Sequence, residues 1–142
     1  RVKKMIPKFR AWDKNTEDMV DVKMIDLEKD GSIGCIVDYN GINLDVSECV
    51  LMQSTGVKDK NGVEIFEGDI LKIIEVTNEG ISEYITDVIW EDCSFVFKSE
   101  GVDYYDTFLG AFSGDPNTTY PLFELLVIGN VWDNPELLEG TE

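Results

Sequence analysis

Short runs of alternating apolar and polar residues, divided by glycine-bearing turns, fill most of this chain, and the repeat is that of strands. From Met5 to Trp12, Ile6, Lys8, Arg10 and Trp12 alternate with Met5, Pro7, Phe9 and Ala11. That spacing predicts a strand, which Pro7 confines to a sheet edge at its start. Asp13-Lys-Asn-Thr-Glu-Asp18 is turn-rich and leads into Met19–Leu27, a run with enough β-branched residues for a second strand. Glu28-Lys-Asp-Gly31 predicts a hairpin turn into Ser32–Val37, and Asp38-Tyr-Asn-Gly41 turns the chain again. Ile42–Met52 reads equally as a strand or a short helix.

The second half repeats the pattern. Asn61-Gly62 lies between short apolar runs and predicts a tight hairpin, because both residue types tolerate positive φ. Strands follow at Val63–Phe66, Ile70–Val76, Ile81–Trp90 and Phe95–Lys98. Glu100–Thr119 is polar and glycine-bearing and predicts a long loop, part of it packed through Tyr104, Tyr105, Phe108 and Phe112. Leu122–Ile128 predicts a buried strand. Asn134-Pro135-Glu136 predicts a helix start, with Asn as N-cap and Pro in the first helical position. Many short strands at this spacing, without alternating helices, predict a mainly β fold, a small barrel or sandwich.

The chain has 142 residues, 43% of them hydrophobic, which suffices for one domain with a true core, or one domain with a small appendage. No apolar run reaches the ~20 residues of a membrane span. Arg1-Val-Lys-Lys-Met5 has no apolar stretch behind it to make a signal peptide. Cys35, Cys49 and Cys93 are odd in number and scattered, which fits free thiols in a reducing compartment. These features predict a cytoplasmic protein that does not engage membranes.

The net charge of −17 is unevenly placed. Residues 1–72 carry 11 basic and 14 acidic side chains, whereas residues 73–142 carry one basic and 15 acidic. Such a surface repels DNA, RNA and anionic lipid. It serves solubility, or presents phosphate-like charge to a nucleic-acid-binding protein.

Signs of catalysis are weak. With no histidine in the chain, a thiol nucleophile lacks its usual base and general base work needs a shifted carboxylate or lysine. Gly110-Ala-Phe-Ser113-Gly114 has the wrong spacing for a nucleophile elbow. Asp26–Val37 places acids at calcium-loop positions 1, 3 and 5 and glycine at 6, yet Val37 stands where a bidentate Glu is needed. A hairpin turn accounts for it better. No cofactor or metal is implied.

Four segments resemble a known family: Phe9-Arg10-Ala11-Trp12-Asp13, the glycine-rich Leu51–Leu71, Val88-Ile89-Trp90, and Val127-Ile-Gly-Asn-Val-Trp-Asp-Asn-Pro-Glu-Leu-Leu138. In this order they resemble the YopX-like phage and prophage proteins, a family without an established biochemical activity. The resemblance implies an SH3-like β-barrel over about residues 51–138 of a domain spanning 51–142, with residues 1–50 as an N-terminal β segment packed on it. It also implies a homo-oligomer of phage or prophage origin in a bacterial cytoplasm. Relatives begin near Met5, so Arg1–Lys4 are expected to be upstream coding or an expression remnant. Their loss takes the charge from −17 to −20.

Gly56, Gly62 and Gly68 suit sharp turns, and Asp59 and Asp69 suit carboxylates that bond nearby amides. Phe9, Trp12, Trp90 and Trp132 read as packing residues. Arg10 pairs with a carboxylate or touches a partner. The binding candidates are Arg10, Asp59, Lys60 and Asn61. The expected function is a non-enzymatic, oligomeric binding module with a host or phage protein as partner. The alternatives are an acidic DNA mimic that blocks a nucleic-acid-binding protein, and direct nucleic-acid binding through Lys3, Lys4, Lys8, Arg10 and Lys14.

Overall fold

The computed structural model describes residues 7–77, 79–91, 94–98, 105–107 and 122–139. The expectations for Met5, Ile6, Cys93 and most of Glu100–Thr119 lie outside them. The described residues are mainly β and fall into two compact units, Arg1–Gly56 and Val57–Glu142. The boundary between the units lies after Gly56, within the strand that starts at Cys49 and is still paired in the first unit at Gln53.

In the first unit β1 (Phe9–Asp13), β2 (Asp18–Leu27), β3 (Ile33–Asp38), β4 (Asn43–Asp45) and β5 (Cys49–Lys58) line up antiparallel in the order β4-β3-β2-β1-β5, in a sheet whose sixth strand, β6 (Glu64–Phe66), pairs with β5. Ala11 on β1 lies opposite Val20 on one side and Leu51 on the other, so these three share a face. On that face Ala11, Ile36, Leu44 and Cys49 are buried, with Val20, Val22, Ile25, Ile33 and Leu51 packed against them. The ambiguous span Ile42–Met52 holds both readings: β4, a 3-10 turn at Val46–Glu48, and the start of β5. Asp45 makes that turn possible by accepting hydrogen bonds from the Ser47 amide and hydroxyl at 2.9 and 2.8 Å.

β5 carries the chain into the second unit, whose strands are β6 (Glu64–Phe66), β7 (Asp69–Thr77), β8 (Gly80–Asp87), β9 (Ile89–Glu91), β10 (Ser94–Lys98), β11 (Tyr105–Thr107) and β12 (Leu122–Asn130). They are followed by one helical turn, α1 (Glu136–Glu139). Two three-stranded sheets run β12-β7-β8 and β11-β10-β9. Leu125, Ile73 and Tyr84 stand side by side across the first of these, and their face buries Ile65, Leu71, Ile73, Tyr84, Val88 and Leu125. The opposite face carries the rows Glu124–Ile74–Glu83 and Leu126–Lys72–Ile85.

Ile81–Trp90, expected as one strand, is two. Val88 ends the pairing of β8 with β7: its N–H donates to the Asp69 carbonyl at 3.0 Å and its own carbonyl accepts from Gly68 at 2.9 Å. The chain then bends into the other sheet, a corner of the kind that joins crossed sheets. Trp90 on β9 meets Phe95 on β10 edge to face, with ring centroids 4.8 Å apart. Among the described residues the sheets stay open and do not close into a barrel. β11 falls within the expected loop, where it pairs with β10.

The expected helix start at Asn134 is present, but its side chain faces backward. Asn134 Oδ1 accepts from the Asn130 amide at 3.3 Å and lies over Gly129. A Cβ at Gly129 would sit 2.5 Å from that oxygen. Gly129→Ala is therefore expected to displace Asn134 and cost about 1–3 kcal/mol, the usual range for overpacking, measured as a lower urea midpoint.

Candidate functional site

Three of the four residues singled out as binding candidates form one turn. Asp59-Lys60-Asn61-Gly62 joins β5 to β6, with Asp59 donating its amide to the Val63 carbonyl at 2.7 Å and Gly62 donating to the Asp59 carbonyl at 3.0 Å. Gly62 has φ +83°, whereas Asn61 has a negative φ. The hairpin is thus a type I turn closed by a glycine bulge, and not the type with two positive φ angles that Asn-Gly suggested. One left-handed residue is enough here because Asp59, ahead of the turn, holds the amides of both Asn61 and Val63 on Oδ1 at 2.8 and 2.9 Å.

The other oxygen of Asp59 reaches much farther. Oδ2 accepts from the Val127 amide at 2.9 Å, across 68 residues of sequence. Beside it, the Lys60 amide donates to the Leu125 carbonyl at 2.9 Å. Leu125 and Val127 thus turn backbone groups away from β7, and the turn satisfies them. It covers the outer edge of β12, which is one way a sheet avoids pairing with strangers. Lys60 also sets its ammonium 3.3 Å from Glu124, an exposed ion pair. Asp59 is 8% exposed. Burial pushes its carboxyl up, but the amides of Val127, Val63 and Asn61 outweigh that and hold it below the ordinary range.

The same device occurs in the first unit. Asp38-Tyr-Asn-Gly-Ile42 repeats the order of Asp59-Lys-Asn-Gly-Val63, and Asp38 Oδ1 accepts from Asn40 and Ile42, both at 2.9 Å. Asp13 takes the Asn15 amide at 2.9 Å, and Asp69 takes that of Phe66 at 2.8 Å. Every buried carboxylate among the described residues is thereby committed to main-chain N–H groups.

Arg10 belongs to the first unit, apart from this turn in the chain's organisation. It lies in register with Asp21 and Met52, and its Nη2 sits 3.9 Å from the Met52 sulfur. Of the aromatic candidates, Trp12 is buried, while Trp90 and Trp132 are 51% and 38% exposed. Cys49 is buried and its thiol is pushed up, by burial first and then by the charge of Asp13, which makes it a poor nucleophile. The Asp26–Gly31 stretch is a hairpin: Glu28 and Ser32 bond through their backbones, and Asp30 accepts from the Ser32 amide and hydroxyl.

Sequence reasoning missed Asp87, at the end of β8. Burial pushes its carboxyl up, with its own amide pulling the other way. It also missed that β8 alternates Ile81, Glu83, Ile85 and Asp87 along one face, although that two-residue period is plain in the sequence.

Among the described residues no helix is long and apolar enough to cross a membrane, and no group of His, Cys, Asp or Glu is placed to hold a metal ion. A family model described as YopX protein matches residues 8–139. No curated protein matches the chain. The chain is similar to the crystal structure of protein EF1440 from Enterococcus faecalis, with 31% identity, a TM-score of 0.67, and coverage of 95% of this chain and 99% of that one. It shares its fold with the crystal structure of protein yopX from Bacillus subtilis, at 22% identity, a TM-score of 0.58, and coverage of 92% and 96%.

Two carboxylates should respond to pH in opposite senses. Asp59→Ala is expected to destabilise the protein more than Asp38→Ala, by about 1–3 kcal/mol, since it leaves the Val127 amide without its acceptor. Because the Asp59 pKa is depressed, its contribution is present above the unfolded value and is lost as pH falls below about 4. Urea titrations of both variants at neutral and acid pH check this. The Asp87 pKa is raised, so its contribution is full below the unfolded value and is lost as pH rises. Asp87→Asn should therefore raise the melting temperature at pH 7 and change it little at pH 3.

Proposed function

The chain belongs to the YopX protein family, and we propose that it is a non-enzymatic phage or prophage accessory protein, an oligomeric module that acts through protein contacts. What supports this reading most is the use made of its carboxylates. Asp13, Asp38, Asp59 and Asp69 serve the backbone, and the depressed pKa of Asp59 moves away from the value a general acid or base needs at neutral pH, although the half-buried Asp87 is pushed the other way. Apolar side chains are left at the surface in both units: Met24, Leu27, Tyr39 and Ile42 in the first, Ile81 and Trp90 in the second. The second unit suits the part of a small SH3-like barrel. Its short antiparallel strands and the corner at Val88 favour that assignment. The module works in the bacterial cytoplasm.

A second reading is favoured by charge. Residues 1–56 carry 8 basic and 10 acidic side chains, a net of −2, and residues 57–142 carry 4 and 19, a net of −15. A domain so acidic competes with nucleic acid for a protein that binds it. Direct nucleic-acid binding is the weakest reading, since it depends on the few basic residues of the first unit.

Light scattering after size exclusion, at low and high salt, separates the first two. The module predicts a discrete oligomer whose mass does not change with salt. A monomer that binds a DNA-binding protein only at low salt would replace the module with the decoy.

A further inference from the structure

We propose that the outer edge of β8 receives a basic, extended segment of a partner protein as an added strand. The proposal rests on reading the protein as a binding module and assigns that module a site.

The backbone geometry comes first. On β12, Leu125 and Val127 direct their backbone groups away from β7, toward the Asp59 turn. Glu124 and Leu126 therefore bond to Ile74 and Lys72 of β7, which lie opposite them. That leaves Leu71, Ile73 and Glu75 to bond across to Thr86, Tyr84 and Ser82 of β8. The two-residue connection between Thr77 and Gly80 gives the same phase. Ile81, Glu83 and Ile85 then present their N–H and C=O groups outward, on a strand that ends its sheet. The edge of β12 is covered by a turn built for the purpose. Among the described residues no strand pairs with this edge of β8.

The side chains then choose the partner. Ile81 is 72% exposed, and Ile81, Glu83 and Ile85 follow one another on the outer face, with the half-buried Asp87 at its end and Glu79 in the turn ahead of them. A second copy pairing antiparallel about Glu83 would set Glu83 against its own equivalent and Glu79 against Asp87. Like charges directly opposite are destabilising, and acidic residues on an edge are a known guard against self-pairing. A strand alternating lysine or arginine with β-branched residues meets the same pattern favourably. Glu83 is within 3.6 Å of Lys72, but an exposed pair of this kind holds it weakly. The net charge of −15 on the second unit would steer a basic segment toward it. Backbone bonds would supply affinity and alternate side chains specificity, as in other strand-addition complexes.

The test uses the full chain, isotopically labelled, with a short peptide alternating lysine and valine as probe and its glutamate counterpart as control. The expected result is saturable binding of the lysine peptide alone, with new exchange protection at the amides of Ile81, Glu83 and Ile85. Glu83→Lys should weaken binding by about 1.4–5-fold, the range of one cross-strand charge pair. Ile81→Pro removes an outward N–H without breaking the β7 ladder, and should abolish the protection while leaving the β7 amides protected. Binding with protection elsewhere, or binding indifferent to both substitutions, would overturn the proposal. So would a dimer in which the β8 amides are protected before any peptide is added, or preference for single-stranded DNA over the peptide. If the chain proves a salt-resistant oligomer and the peptide fails to bind, the edge site falls and the module stands. If it is a monomer that nevertheless binds as expected, the oligomeric module falls and the edge site stands.

Discussion

One carboxylate ties the second unit together. Asp59 holds its own turn with one oxygen and the last strand of its sheet with the other. The first task is local and could be performed by any Asp ahead of a type I turn. The second fixes β12 beside the turn, sets which of its backbone groups face β7, and so sets the phase of bonding through β7 into β8. A neutral side chain of similar shape would offer the Val127 amide a weaker acceptor. Charge-assisted bonds to main-chain donors are stronger than neutral ones, and here their combined effect exceeds the penalty of burying the charge.

The Val88 corner depends on the same region. Both backbone groups of Val88 are taken by Gly68 and Asp69, while the Asp69 side chain holds Phe66. Val131 also donates to the Gly68 carbonyl at 2.9 Å. The short Phe66–Asp69 turn therefore serves β6, the end of β8 and the end of β12 at once. This gives a physical reason for the dense turn chemistry of Leu51–Leu71: the segment supplies the points at which strands distant in sequence are held.

Local signals were legible in the sequence, and long-range ones were not. The hairpins at Glu28–Gly31 and Asp38–Gly41 were readable because turn residues and flanking strands lie within a few positions. The helix start at Asn134-Pro135 was readable for the same reason. Ile81–Trp90 gave no hint of a break, since Val88 is as β-prone as its neighbours and its bend comes from a bond to Asp69 made across the fold. The Asn61-Gly62 pair signalled a hairpin correctly and its turn type wrongly, because the deciding group was Asp59, two residues earlier. Arg10, Asp59, Lys60 and Asn61 were chosen for their outward promise. Asp59 proved to be enclosed, and the link from Asp59 to Val127 could not be read from residues 68 positions apart.

The two matching turns, at Asp38 and Asp59, also differ in when they can be completed. A ribosome delivers everything the Asp38 turn needs within five consecutive residues, and β2, β3 and β4 around it are all made by Asp45. The Asp59 turn receives its local bonds just as promptly. Its second oxygen must stay hydrated until Val127 has been made, 68 residues later. Of the described strands β12 is made last, so β7 must wait for the neighbour that pairs with it. The Asp38 turn is thus complete long before the Asp59 turn, which receives its second partner only when β12 arrives.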